Sequence, residues 1–65
     1  MYNGWKNHAT WDMNLNLTNE EGIYRLALSC QSASDLKHTF EEEATQLGID
    51  INEIDWDEIY EGLQQ

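Results

Sequence analysis

The longest stretch of this 65-residue chain to alternate at the period of a β-strand runs from Trp11 to Leu17. Trp11, Met13, Leu15 and Leu17 are interleaved with Asp12, Asn14 and Asn16, the two-residue repeat of a half-buried strand. No second segment offers it a partner, and a strand with no partner leaves its backbone donors and acceptors unpaired. The same residues also meet helical spacing, through Trp11 with Leu15 and Met13 with Leu17. The stretch is therefore expected to be helix. The whole chain is expected to be all-α, a single acidic domain over residues 1–65 built as a small bundle of about four short helices.

Each helix carries its own start or stop signal. Residues 2–6, Tyr-Asn-Gly-Trp-Lys, read as an irregular arm with an aromatic anchor, and Asn7 can cap a first helix. Asn19 before Glu20 and Glu21 makes a second start, with acids at the positive end of the helix dipole. Ile23, Leu26, Ala27 and Cys30 follow at i, i+3, i+4 and i+7, and Tyr24 with Leu28 adds a stripe about 100° away. This helix calls for neighbours on two sides. If the domain supplies one, Tyr24 and Leu28 become a second interface, such as a homodimer seam.

Ser32 with Asp35 resembles a capping box at the start of a third helix. Leu36, Phe40, Ala44 and Leu47 form its buried stripe, with Glu43 at the stripe edge, reaching water. Gly48 followed by Ile49 supplies the stop. In the last helix Asp55 caps, Glu58 completes the box, and Ile54 can staple onto Ile59. Trp56, Ile59, Tyr60 and Leu63 make its apolar face, and Asp57, Glu58 and Glu61 lie opposite. The expected core joins Trp5, Trp11, Leu26, Phe40, Leu47, Trp56 and Ile59.

A chain this short buries only about 60% of the surface its unfolded form exposes, so its core has little to spare. Cys30 is the only cysteine, which excludes an internal disulfide. Within an apolar stripe it reads as a small buried hydrophobe and agrees with a reducing compartment. No stretch approaches the roughly 18 apolar residues of a membrane span, and no signal peptide is visible. The expectation is a cytoplasmic protein. Seven aromatic residues are too many for a disordered acidic tail.

Charge is partitioned along the chain. Residues 1–32 set Lys6 and Arg25 against Asp12, Glu20 and Glu21, a net of −1, while residues 33–65 set Lys37 against ten acids, a net of −9. A total of −10 repels nucleic acid and anionic membrane. Direct binding to either is not expected, and a basic protein surface is the natural counterpart. From Asp50 to Glu61, twelve residues hold six acids and no base. Surfaces tuned for solubility alone tend to mix signs, and Asp57 with Glu61 at i, i+4 costs the helix a few tenths of a kcal/mol. Solubility alone nevertheless explains such a run as readily as function does.

Catalytic and metal chemistry find little support. Asp50, Asn52 and Glu61 match calcium-loop positions 1, 3 and 12. Ile54 at position 5 offers no side-chain ligand, however, and Asp55 stands where the turn needs glycine. His8, His38 and Cys30 lack metal-ligand spacing. Ser29, Ser32 and Ser34 lack a visible base and orienter. No enzyme, cofactor or metal is expected.

The opening Tyr2-Asn3-Gly4-Trp5, then Asn7-His8-Ala9-Thr10-Trp11, resembles small phage and bacterial proteins of unknown function that share a Tyr-Asn-Gly-Trp and Asn-x-x-Thr-Trp pattern. Asn19-Glu20-Glu21-Gly22-Ile23-Tyr24 and Ile54-Asp55-Trp56-Asp57-Glu58-Ile59 are similar to later segments of the same family. Asn14 and Asn16 depart from the more apolar residues expected there. The resemblance implies a phage or mobile-element origin, hence a bacterial cytoplasm, and no catalytic residues.

Small acidic phage proteins often inhibit host machinery, and some present carboxylates where a nucleic acid presents phosphates. The leading expectation is therefore an inhibitor that occupies the basic groove of a host nucleic-acid-binding protein, such as a CRISPR, restriction or transcription component. Glu41, Glu42, Asp50, Glu53, Asp57, Glu58 and Glu61 are its expected binding residues. The alternatives are a structural or assembly adaptor whose charge only confers solubility, and an antitoxin-like neutraliser of a basic partner.

Overall fold

The computed structural model describes residues 4–65, so Tyr2 and Asn3 of the opening motif lie outside the described residues. Four α-helices follow in order: α1 His8–Thr18, α2 Glu21–Leu28, α3 Ala33–Gln46 and α4 Trp56–Leu63, with a 3₁₀ turn at Ile51–Glu53 before α4. No strand occurs among the described residues. The ambiguous stretch Trp11–Leu17 is helical. Ala9, Met13 and Leu17, four residues apart, are buried on one face of α1, while Leu15 is 46% exposed on another.

The helix ends follow from local chemistry. Asn7 Oδ1 accepts from Thr10 N at 2.9 Å, and Ser32 Oγ accepts from Asp35 N at 3.0 Å. Asp55 Oδ1 accepts from Glu58 N at 3.1 Å. Each such cap satisfies one N–H that the helix itself leaves without a partner. α3 stops in a Schellman arrangement. Gly48 sits at φ +77, its N–H meets Thr45 O, and Ile49 N–H meets Ala44 O. Only glycine takes that left-handed φ without steric cost.

The start of α2 differs from expectation. Glu20, not Asn19, is its N-cap, and Glu20 Oε1 accepts from Gly22 N at 3.0 Å. A β-carbon at residue 22 would lie 2.8 Å from that oxygen, so the bare glycine makes the cap fit. Asn19 instead closes α1.

One core cluster joins all four helices: Met13 and Leu17 from α1, Ala27 from α2, Leu36, Phe40 and Ala44 from α3, and Trp56, Ile59 and Leu63 from α4, with Cys30, Ile49 and Ile54 from the connections. Trp5 packs against it from the N-terminal segment. Of the expected core, Phe40, Trp56 and Ile59 are buried, while Trp5 and Trp11 are half-buried. Leu26 and Leu47 are exposed by 50% and 45%. Leu47 is the C-cap of α3 and has left the stripe that Leu36, Phe40 and Ala44 keep.

α2 is two turns long, packs chiefly on α1 and fully buries only Ala27. Its two-sided cover is therefore not provided among the described residues, and Tyr24 and Leu28 stand 37% and 41% exposed. Replacing Leu26 by serine should shift stability by less than about 1 kcal/mol, because half its surface already meets water. Chemical denaturation reads this directly, and a larger loss would mean that Leu26 is covered in solution.

Candidate functional site

The two ends of the chain are locked to each other before any site forms. Lys6 N donates to Glu58 Oε1 at 2.9 Å, and Asn7 Nδ2 donates to Glu53 O at 2.8 Å. Asp55 N donates to Thr10 Oγ1 at 2.8 Å, and Thr10 is fully buried. Lys6 Nζ also stands 3.7 Å from Asp55 Oδ2. The Asn-x-x-Thr spacing is thus structural. Asn7 and Thr10 both close the first turn of α1 and hold the segment that starts α4.

This latch corrects the capping box expected in α4. Asp55 caps as predicted, but Glu58 reaches Lys6 N rather than back to Asp55 N, which Thr10 already satisfies. Glu58 is half-buried and ties the N-terminal segment down. Asp50 is also partly engaged, because its Oδ1 caps the 3₁₀ turn on Asn52 N at 3.0 Å. Neither is a wholly free surface charge, since Glu58 anchors the N-terminal segment and Asp50 caps the turn.

The other expected binding residues differ in setting. Glu42, Glu53, Asp57 and Glu61 are exposed, Glu41 and Glu43 are half-buried, and none of their carboxylates has a hydrogen bond or ion pair among the described residues. Arg25 is occupied by Glu21 at 2.7 Å, and Lys6 by Asp55.

Six of the seven expected acids line one of four open clefts, three of which hold no lysine or arginine, and Glu41 lines none of the four. Glu42 and Glu43 rim a shallow groove of about 320 Å³ between α2 and α3, floored by Ile23, Leu26 and Phe40. Asp50 and Glu53 share a cleft of about 260 Å³ with Asp12 and His8. Glu58 and Glu61 share one of about 460 Å³ with Trp5, Tyr24, Asn14 and Thr18. Asp57 is the exception, because it shares its cleft with Lys6 and Lys37.

The cleft at Glu58 and Glu61 unites parts that look separate along the chain. Tyr24, expected at a second interface, lines the same hollow as the acidic face of α4. Leu28 does not line it. Trp5 is set there by the turn at Gly4, φ +86, and rests on bare backbone. A β-carbon at Gly62 would come within 3.2 Å of Trp5 Cη2. The glycine is costly inside α4 by about 1 kcal/mol relative to alanine, and this close approach accounts for it. Sequence spacing gave no sign of the cleft, since its residues lie on four separate segments.

Among the described residues no three of His, Cys, Asp and Glu are grouped to hold a metal ion, and no helix is long and apolar enough to cross a membrane. Cys30 is buried, with Sγ 3.6 Å from Leu26 O. The chain matches none of the curated proteins and none of the solved structures compared with it. A family model does match, described as a family of unknown function (DUF7249), and it covers residues 1–64, so the chain belongs to that family.

Proposed function

We propose that this chain is a small acidic protein of phage type that works by protein–protein contact, occupying the basic nucleic-acid-binding groove of a host protein. One observation supports the reading most directly. Glu42, Glu53 and Glu61 are exposed carboxylates with no partner among the described residues, in clefts without lysine or arginine. Their field is therefore available to a partner rather than neutralised within the fold. In water such fields reach about 8–10 Å at physiological salt, so they speed encounter and select partners more than they add affinity. Maintaining a net charge of −10 on a domain this small also sets its copies against one another, which favours a partner of opposite sign over a second copy.

Capture from a bacterial lysate tests the reading if two competitors are used. The expected result is recovery of nucleic-acid-binding proteins that are released by excess duplex DNA and by moderate salt. Release by both marks occupation of a groove that nucleic acid would otherwise fill. Recovery of a partner that neither competitor displaces would overturn the proposal. Recovery of the chain itself or of virion proteins alone would point to an assembly adaptor.

A further inference from the structure

The cleft of about 460 Å³ joins two aromatic residues, Trp5 and Tyr24, to two carboxylates, Glu58 and Glu61, with no lysine or arginine in its lining. We infer that it receives an arginine side chain of the partner, an assignment that rests on the partner being basic as proposed above. The chemistry is specific to a guanidinium. Aromatic faces carry negative potential that attracts a cation, and arginine engages them more often than lysine because its planar group is weakly hydrated and stacks. Carboxylates complement the same group through its fork of N–H donors.

The cleft is prepared for such a guest. Glu58 Oε1 is held by Lys6 N at 2.9 Å, which fixes that carboxylate in place. Trp5 is supported by the bare backbone of Gly62. A side chain positioned in advance loses little freedom on binding. Glu61 and Tyr24 are exposed at the rim, so a cation entering there sheds only part of its water. The hollow falls within the roughly 300–1,000 Å³ range of ordinary ligand sites. Arg25 is this chain's one arginine, and a net charge of −10 sets two copies against each other, which makes a second copy a poor source of the guest.

Amide chemical shifts of the full-length chain, titrated at constant ionic strength, test the inference. The probes are N-acetylargininamide, its lysine counterpart and its neutral norleucine counterpart. The arginine compound should give saturable shifts at the Trp5 side-chain N–H, Tyr24 and Gly62. The lysine compound should bind several-fold more weakly, and the norleucine compound should give none. Glu61→Gln and Tyr24→Leu, both at exposed positions, should each weaken arginine binding about three- to fivefold with unchanged unfolding curves. The inference fails if shifts spread evenly over Glu42, Glu53 and Glu61, if lysine binds as well as arginine, or if neither variant changes the affinity. Arginine binding here without a partner released by DNA would sink the groove proposal alone. A DNA-released partner with no shift at Trp5 would sink the arginine site alone.

Discussion

Replacing Thr10 by valine should destabilise the domain by about 1–3 kcal/mol, although the two side chains have nearly the same shape. Thr10 is fully buried, and its hydroxyl oxygen accepts from the backbone N–H of Asp55 at 2.8 Å. Valine keeps the packing and removes the acceptor. The Asp55 N–H then lies at the start of α4 with neither a helical carbonyl nor Thr10 to receive it, and burying an unsatisfied donor carries its full desolvation penalty. Stability for a domain of this length is on the order of 3–10 kcal/mol in total, so the loss is a large fraction. The midpoint of urea unfolding should fall with an unchanged slope, and the Asp55 amide should exchange with solvent faster. Thr10→Ser, which keeps the oxygen, should lose less than valine does. Thr18 gives the comparison on the same helix, since it is exposed and its hydroxyl only back-bonds within α1, to Asn14 O and Leu15 O. Thr18→Val should change stability by less than about 0.5 kcal/mol. An unchanged stability for Thr10→Val beside a loss for Thr10→Ser would show that packing, not the hydrogen bond, holds the latch.

That latch also marks where the sequence stops being legible. Signals that act within one turn read well. The caps at Asn7, Ser32 and Asp55 and the glycine stop at Gly48 all stand where their spacing places them. Signals that need a distant partner do not read at all. Thr10 lies 45 residues from Asp55, and Glu58 lies 52 residues from Lys6. Within its own helix Glu58 fits a capping box, and only the arrival of the N-terminal segment gives its carboxylate a better donor. The apolar stripes show a related limit. Helical spacing groups Leu26 with Ala27 and Leu47 with Ala44, but it does not say how far the neighbouring helix extends. α2 ends after two turns and Leu47 falls on a cap, so both leucines meet water. Charge behaves likewise. The sequence divides into an aromatic half and an acidic half, yet folding brings Trp5 and Tyr24 beside Glu58 and Glu61 and moves Lys6 and Lys37 beside Asp57.

This redistribution decides which charges to reverse in a test of the proposed function. Along the sequence, Asp57, Glu58 and Glu61 form the obvious set. In the fold, Glu58 holds Lys6 N and Asp57 shares its cleft with two lysines, so reversing them mixes structural and electrostatic effects. Glu42→Lys, Glu53→Lys and Glu61→Lys together avoid this. All three residues are exposed, and none has a side-chain partner among the described residues. The fold should persist. Glu61 lies in the last turn of α4, where a cation suits the negative end of the helix dipole, and lysine there also relieves the like-charge spacing with Asp57. The triple change brings the net charge from −10 to −4, two units for each of three residues. Affinity for the captured partner should fall at least about tenfold, mainly through a slower association rate, and the remaining binding should depend less on salt. Glu61→Lys alone should account for more of the loss than either other single reversal, because it also removes a carboxylate from the aromatic cleft. If the triple variant binds unchanged while Tyr24→Leu abolishes binding, the carboxylates are only a solvated surface. The interface would then be the aromatic face alone, and the nucleic-acid-mimic reading would fall with the field that supports it.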